Sequence, residues 1–374
     1  MKIFERYIST QVKKDLKKKM VFIGGPRQVG KTTFAKSLKN DYLNFVYLNW
    51  DISKDREKIL SDELPAGDLY IFDEIHKYKK WRNYLKGFYD QFAEEKKILV
   101  TGSAKLDYYR RGGDSLQGRY HFLRMYPLSV AELKISNIND LKELLNYGGF
   151  PEPFFSQSKI ESARWSREYR TRLIREDLAS LEKVEDLDTL EKLLIHLPKY
   201  VGSPLSINSL RENLQVAHKT VDKWIKIFER LYAIFRLDPF GNKTLRNLSK
   251  AKKHYHFDWT LVKNEGAKFE NLLALHLLKW CHFIQDTEGR DVDLKYFRDV
   301  DGREIDFVIT EDDLPTHFID CKWAESEINP SLNLLKNKFP KADFYQISAI
   351  GNKDYLNKNG IRVCNAITFL KNFL

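Results

Sequence analysis

Cysteine is scarce in this chain of 374 residues, where Cys281, Cys321 and Cys364 are the full complement. An odd count without CxxC spacing excludes a disulfide framework and a structural zinc site, and fits a reducing compartment. Long hydrophobic runs are missing too. No stretch reaches the roughly 18 uninterrupted apolar residues of a membrane helix, and the opening MKIFERYISTQVKKDLKKK has no apolar core of signal-peptide length. The expectation is a soluble, cytoplasmic protein with no membrane partner. Disorder is excluded as well, because 43% of the residues are hydrophobic against 31% charged. The length predicts two or three domains. Acidic residues are outnumbered, leaving a net charge of +11. That balance favours a polyanionic partner, although a merely solvated Lys-rich surface gives the same number.

Residues 24–33 read GGPRQVGKTT and follow the apolar run Met20-Val21-Phe22-Ile23 directly. The pattern GxxxxGK[ST] is present as Gly25, Pro26, Arg27, Gln28, Val29, Gly30, Lys31 and Thr32, with a helix-like stretch from Thr33 onward. A strand, a Gly-rich turn and a helix form the context of a phosphate-cradling loop, whose backbone N–H groups converge on an anion. ATP with Mg²⁺ is the expected ligand pair. Residues from Gly25 to Thr33 would hold the nucleotide, Lys31 would reach its β- and γ-phosphates, and the Thr32 hydroxyl would ligate the metal.

Hydrolysis also requires carboxylates at the end of a neighbouring buried strand, and Leu69-Tyr70-Ile71-Phe72-Asp73-Glu74 supplies two. Asp73 is the candidate Mg²⁺ partner and Glu74 the candidate general base for the attacking water. A strand ending in Thr101-Gly102-Ser103 puts small hydroxyls where they would sense the γ-phosphate, with Ser103 the preferred candidate. Residues 44–48 and 121–125 read as two further strands, so the first 130 residues predict a five-stranded parallel α/β sheet.

With GGPRQVGKTT, IFDEIHKYKKWRNYLKGFYD, VTGSAKLDYYRRGGDSLQGRYHFLRMYPLSVAEL and GGFPEPFF in order, the chain resembles the AAA+ ATPases. The likeness is to bacterial and archaeal predicted ATPases with a C-terminal domain of unknown function. It implies a catalytic carboxylate strand beside the sensor strand. It also implies self-association into rings, six subunits being the expected number, in which an arginine of one subunit completes the next site. Arg119 is assigned to that role, with Arg110 and Arg111 as runners-up.

Gly148-Gly149-Phe150-Pro151-Glu152-Pro153 breaks any helix and reads as a junction, giving an ATPase domain over 1–147 and a helical linker over 148–197. A winged helix-turn-helix is expected over 198–254, its first helix capped by Ser206 and its second running over 219–231. On the second helix Lys219, Thr220, Lys223 and Lys226 would face outward while Val221, Ile225 and Phe228 face inward. The following run holds Lys243, Arg246, Lys250, Lys252 and Lys253 with no acid, which suits contacts to DNA phosphates; winged helices also dock proteins.

Residues 255–374 read as a further α/β domain. Glu270 lies near the start of an apolar helix, Asp306 in a hairpin strand, and Asp320 and Lys322 two apart on the next strand. The set resembles the PD-(D/E)xK restriction-endonuclease-like superfamily. That likeness implies carboxylates holding a divalent metal at a scissile phosphate, with Lys322 easing hydroxide formation. Asp320 stands where Glu is commoner, which shortens one ligand arm.

The leading expectation is an ATPase whose nucleotide cycle drives DNA binding or remodelling, with branched DNA among the candidates. The alternatives are a nucleotide-gated, metal-dependent DNA nuclease and a signalling or scaffold ATPase whose C-terminal half docks a protein.

Overall fold

The computed structural model describes residues 5–102, 106, 116–178, 186–241 and 251–373. The chain divides into two compact units, Met1–Pro127 and Leu128–Leu374.

In the first unit, β1 (Met20–Gly24), β2 (Phe45–Asn49), β3 (Leu69–Asp73), β4 (Lys97–Thr101) and β5 (Tyr120–Arg124) form one sheet in the order β2-β3-β4-β1-β5. Every neighbouring pair is parallel. The strand that ends in Asp73 therefore lies beside the one that ends in Thr101, as expected from the family resemblance. β1 and β3 are buried at every position, which explains their unbroken apolar runs: a parallel strand covered on both faces has no polar side to alternate with. Phe22, Tyr70, Phe72, Trp81, Leu85 and Phe88 belong to one apolar cluster, with Phe72 and Phe88 meeting edge-on at 5.6 Å.

In the second unit, eight strands form one mixed sheet. β6 (Ile234–Pro239) and β7 (Lys253–His256) are an antiparallel pair at one edge. They are followed in chain order by β8 (Val292–Arg298), β9 (Glu304–Glu311), β10 (Leu314–Ala324), β11 (Asp343–Ile350), β12 (Asp354–Leu356) and β13 (Ile361–Asn365). The order across the sheet is β12-β13-β11-β10-β9-β8-β6-β7. The central helix Glu265–Glu288 is buried on every side through its middle, where Leu272, Leu273, Leu275 and Leu277 lie beside the buried Asn271, His276 and Lys279.

The division between units falls at residue 127, ahead of the Gly148 junction read from the sequence. Side-chain chemistry explains the difference. His276 Nε2 accepts the Val130 amide at 3.0 Å, Lys279 pairs with Glu132 in the buried interior, and Trp259 Nε1 donates to the Leu144 carbonyl at 3.0 Å. Residues 128–147 are thus fastened to partners far along the chain. Nor does the whole of that stretch exclude helix: Pro151 opens the short helix Pro151–Ser156, a first-turn position that needs no amide donor.

The helices Ile207–Leu214 and His218–Arg230 meet at Gln215, which ends the first in a left-handed conformation. The Ser206 hydroxyl accepts the Ser209 amide, confirming the expected cap. The second helix buries Val221, Trp224, Ile225 and Phe228 and exposes Lys219, Lys223 and Lys226. All three cysteines are buried, and none forms a disulfide among the described residues. Among the described residues, no helix is long and apolar enough to cross a membrane.

Candidate active site

β1 delivers the chain into a loop that must turn at once. Gly25 has φ +139, and a Cβ there would lie 2.2 Å from the Met125 carbonyl oxygen, so no other residue fits without displacing β5's exit. The loop closes into the helix Lys31–Ser37. The buried Lys31 ammonium folds back over it, donating to the carbonyls of Gly25 at 3.0 Å and Pro26 at 2.6 Å. Arg6, also buried, donates to the carbonyls of Val29 at 2.7 Å and Tyr126 at 2.5 Å, tying the loop's outer limb to the segment after β5.

Asp73 closes the other side. Its Oδ2 accepts from Thr32 Oγ1 at 2.7 Å and from the Tyr47 hydroxyl at 2.7 Å, and its Oδ1 accepts from Thr101 Oγ1 at 2.6 Å. One carboxylate thereby joins the first turn of the helix Lys31–Ser37 to β2 and β4. Burial, followed by the Asp73 hydrogen bond and charge, raises the Tyr47 pKa, so this phenol remains a donor. Tyr47 and Thr101 were not singled out in the sequence for this role. The strand order that puts β2 and β4 on either side of β3 is not written in any local pattern.

Glu74 differs from its neighbour. Its backbone is left-handed at φ +57, its amide donates to the Thr101 carbonyl at 2.9 Å, and its side chain retains contact with solvent. The carboxylate lies 3.4 Å from Lys77 and 3.5 Å from His76, and Lys77 also reaches Asp51 at 2.5 Å. Burial raises the Glu74 pKa, with Lys77 and Lys31 opposing. The arrangement offers a loop shaped for an anion, a hydroxyl–carboxylate pair at its mouth suited to a hard cation, and a separate, more basic carboxylate beside them.

Ser103, Arg110 and Arg111 lie outside the described residues. Arg119 precedes β5, and its carbonyl accepts the amide of Met20, the first residue of β1. It therefore sits at the opposite end of that strand from the loop, where it pairs with Asp90 at 2.6 Å and 3.1 Å.

In the second unit, His218, Lys219, Asp222, Lys223, Lys226 and Arg230 line a shallow cleft of about 340 Å³ along one exposed helix face. The basic run after β6 behaves differently. Lys243, Arg246 and Lys250 lie outside the described residues, and Lys252 pairs with Asp238 at 2.8 Å. Lys253, expected at a DNA-facing surface, is fully buried instead. Its Nζ lies 2.5 Å from Glu304, 3.3 Å from Glu270 and 3.5 Å from Asp306, and a phosphate has no access to it.

The expected metal set is accordingly divided. Glu270 and Asp306 come together, with the Cys321 thiol offering a third atom within 4.8 Å of both. Tyr255, two residues beyond Lys253 on β7, donates to Glu270 at 2.7 Å. Asp306 Oδ2 accepts the Cys321 amide at 2.9 Å. Asp320 turns to other partners, accepting from Asn329 Nδ2 at 2.8 Å and pairing with Lys322 at 2.8 Å. Burial and then the Asp306 charge raise Glu270 to about 7 and Asp320 to about 6. Burial alone would depress Lys253, but the charges of Glu270, Asp306 and Glu304 raise it above the ordinary lysine value. Glu304 was overlooked in the sequence, although its place two residues before Asp306 on β9 was a usable sign.

Comparison with known proteins agrees with the first unit. A family model described as an AAA domain matches residues 17–134, and two described as domains of unknown function match 138–265 and 265–366. An uncharacterized protein of Mycobacterium tuberculosis is 22% identical over 320 residues, covering 79% of this chain and 71% of the relative. One from Methanocaldococcus jannaschii is 24% identical over 332 residues, covering 71% and 69%. Among solved structures, a Walker-type ATPase of Pyrococcus abyssi aligns over 70% of this chain and 95% of its own, with a TM-score of 0.45 and 14% identity. A RuvB of Thermotoga maritima aligns over 61% and 88%, with a TM-score of 0.27 and 16% identity.

Proposed function

We propose that the AAA-type P-loop domain matched over residues 17–134 hydrolyses ATP, and that its nucleotide cycle controls DNA engagement by the C-terminal unit. The observation that carries the ATPase reading is Asp73, whose single carboxylate holds Thr32 of the glycine-rich loop and Thr101 of the adjacent strand. In this reading the amides of residues 25–33 surround the phosphates, and Lys31 leaves the Gly25 and Pro26 carbonyls for the β- and γ-phosphate oxygens. Thr32 and Asp73 would hold the Mg²⁺ that accompanies the nucleotide, and the ion would neutralise phosphate charge. Glu74 takes the proton of the water that attacks the γ-phosphorus as the bond to the β-phosphate oxygen breaks. Ser103 belongs to the same reading as the γ-phosphate sensor. Arg119 would serve a neighbouring copy in a ring, since within its own copy it lies at the far end of β1.

The DNA half rests on a row of exposed cations, Lys219, Lys223, Lys226 and Arg230, on the second helix of a helix-turn-helix followed by a β-hairpin. We read residues 198–254 as a winged helix on that basis. The test is ATP turnover measured with and without duplex, forked and single-stranded DNA. Lys31→Ala should abolish turnover, and DNA should stimulate the wild type. Wild-type turnover by Lys31→Ala would refute the site, and the absence of both stimulation and salt-sensitive binding would remove DNA from the account.

A further inference from the structure

We propose that Lys253 is a resident cation that occupies the place a divalent metal would need, making the Glu270–Glu304–Asp306 cluster an ion-paired structural joint and not a metal-dependent phosphodiesterase centre. The inference stands apart from the ATPase reading, because all its residues lie in the second unit.

Three observations lead to it. The lysine side chain is wholly buried, and its ammonium lies within 3.5 Å of three carboxylates that arrive from two elements. Glu270 comes from the central helix, while Glu304 and Asp306 share one face of β9. A divalent ion bridging Glu270 and Asp306 would have to occupy the same space and would bring a positive charge against a buried ammonium that cannot retreat to water. Second, Asp320, the remaining carboxylate of a nuclease-type triad, is committed to Asn329 and Lys322 and is absent from the group of atoms that converge within 4.8 Å. Third, the backbone crowds one member of the cluster. Gly202 has φ +83, and a Cβ there would stand 2.7 Å from Glu270 Oε2, so the chain passes directly over the carboxylate. Lys253 and Tyr255 both reach in from β7, which fastens the edge hairpin to the helix and to β9.

Mn²⁺ titration of the full-length, nucleotide-free chain by calorimetry tests the proposal, with Asp306→Asn locating any site. Wild type and Asp306→Asn should give the same Mn²⁺ heat. Lys253→Met, which keeps the side-chain volume and removes the charge, should gain one additional Mn²⁺ per chain that the double variant Lys253→Met/Asp306→Asn loses. A wild-type chain that binds Mn²⁺ through Asp306 would overturn the proposal, as would a folded Lys253→Met that gains no ion. Should Lys253→Met fail to fold, the wild-type comparison decides alone: Asp306-independent heat supports the resident cation, and Asp306-dependent heat overturns it.

Discussion

Replacing Thr101 by Val keeps the side-chain outline and removes one hydroxyl from the interior. Thr101 is fully buried and its Oγ1 donates to Asp73 Oδ1 at 2.6 Å. The other two donors, Thr32 and Tyr47, both bind Oδ2, so they cannot serve the orphaned oxygen unless the carboxylate rotates. A hydrogen bond to a charged group contributes about 1.5–3 kcal/mol, and here the acceptor left behind is buried. The loss should lower the stability of the first unit by about 2 kcal/mol, which at this size moves its thermal transition down by about 6–10 °C. Rotation of Asp73 would also draw Thr32 out of register with the loop. If about 1.4 kcal/mol of transition-state stabilisation goes with it, kcat falls about tenfold. Differential scanning calorimetry and steady-state ATP turnover read the two effects, and Thr101→Ser, which restores the hydroxyl, should recover most of kcat. A Thr101→Val protein with wild-type Tm and wild-type kcat would refute the claim that this hydroxyl positions the carboxylate.

Glu74→Gln should retain nucleotide binding and slow hydrolysis by about 10²–10⁴-fold, measured as turnover against ATP affinity. Because burial raises the Glu74 pKa, the basic form is lost at higher pH than for an ordinary carboxylate. The acid limb of kcat/KM, which reports the free enzyme, should therefore have its midpoint above 4.5 and vanish in the Gln variant; a midpoint at or below 4.5 would contradict the assignment. Single Ala replacements of Lys219 and Lys223 should each reduce the salt slope of duplex binding by about one, with a smaller effect at Lys226, which already pairs with Asp222 at 2.7 Å. An unchanged slope at all three would remove this helix face from the DNA interface. Burial holds His254 and His276 neutral, with pKa lowered from 6.5 to about 4. The unfolded chain takes up protons on these rings first, so their share of the stability should fall as pH drops from 6.5 toward about 4, by about 3 kcal/mol for each ring, while the raised Glu270 and Asp320 carboxyls act in the opposite direction. Chemical denaturation of wild type and His276→Gln across that range isolates one ring, and a stability difference between the two that stays constant from pH 6.5 to 4 would contradict it.

The first unit was legible because its signals are local. A run of buried β-formers, a turn built from glycines and a helix start lie within 18 residues of one another at 20–37, and Asp73 ends the next such run but one. The donors that orient Asp73 were not legible, since Tyr47 and Thr101 reach it only through strand order. The boundary at residue 127 was hidden for a similar reason, being set by His276, Lys279 and Trp259, which lie far along the chain. The basic run after β6 shows a different limit. Sequence records that Lys252 and Lys253 are adjacent cations, whereas β7 begins at Lys253 and is buried at every position, leaving Lys252 just outside the strand and partly exposed. A residue's charge is written in the chain, but whether it meets solvent or the interior depends on where the strand begins and on what covers it.

The account depends most directly on a phosphate-binding loop after β1. Calorimetric titration of the folded, full-length chain with ATP and Mg²⁺ measures this, alongside Lys31→Ala. One saturable nucleotide per chain, abolished by Lys31→Ala, is the predicted result. No binding by a chain that remains folded, or equal binding by the Lys31→Ala variant, would contradict it.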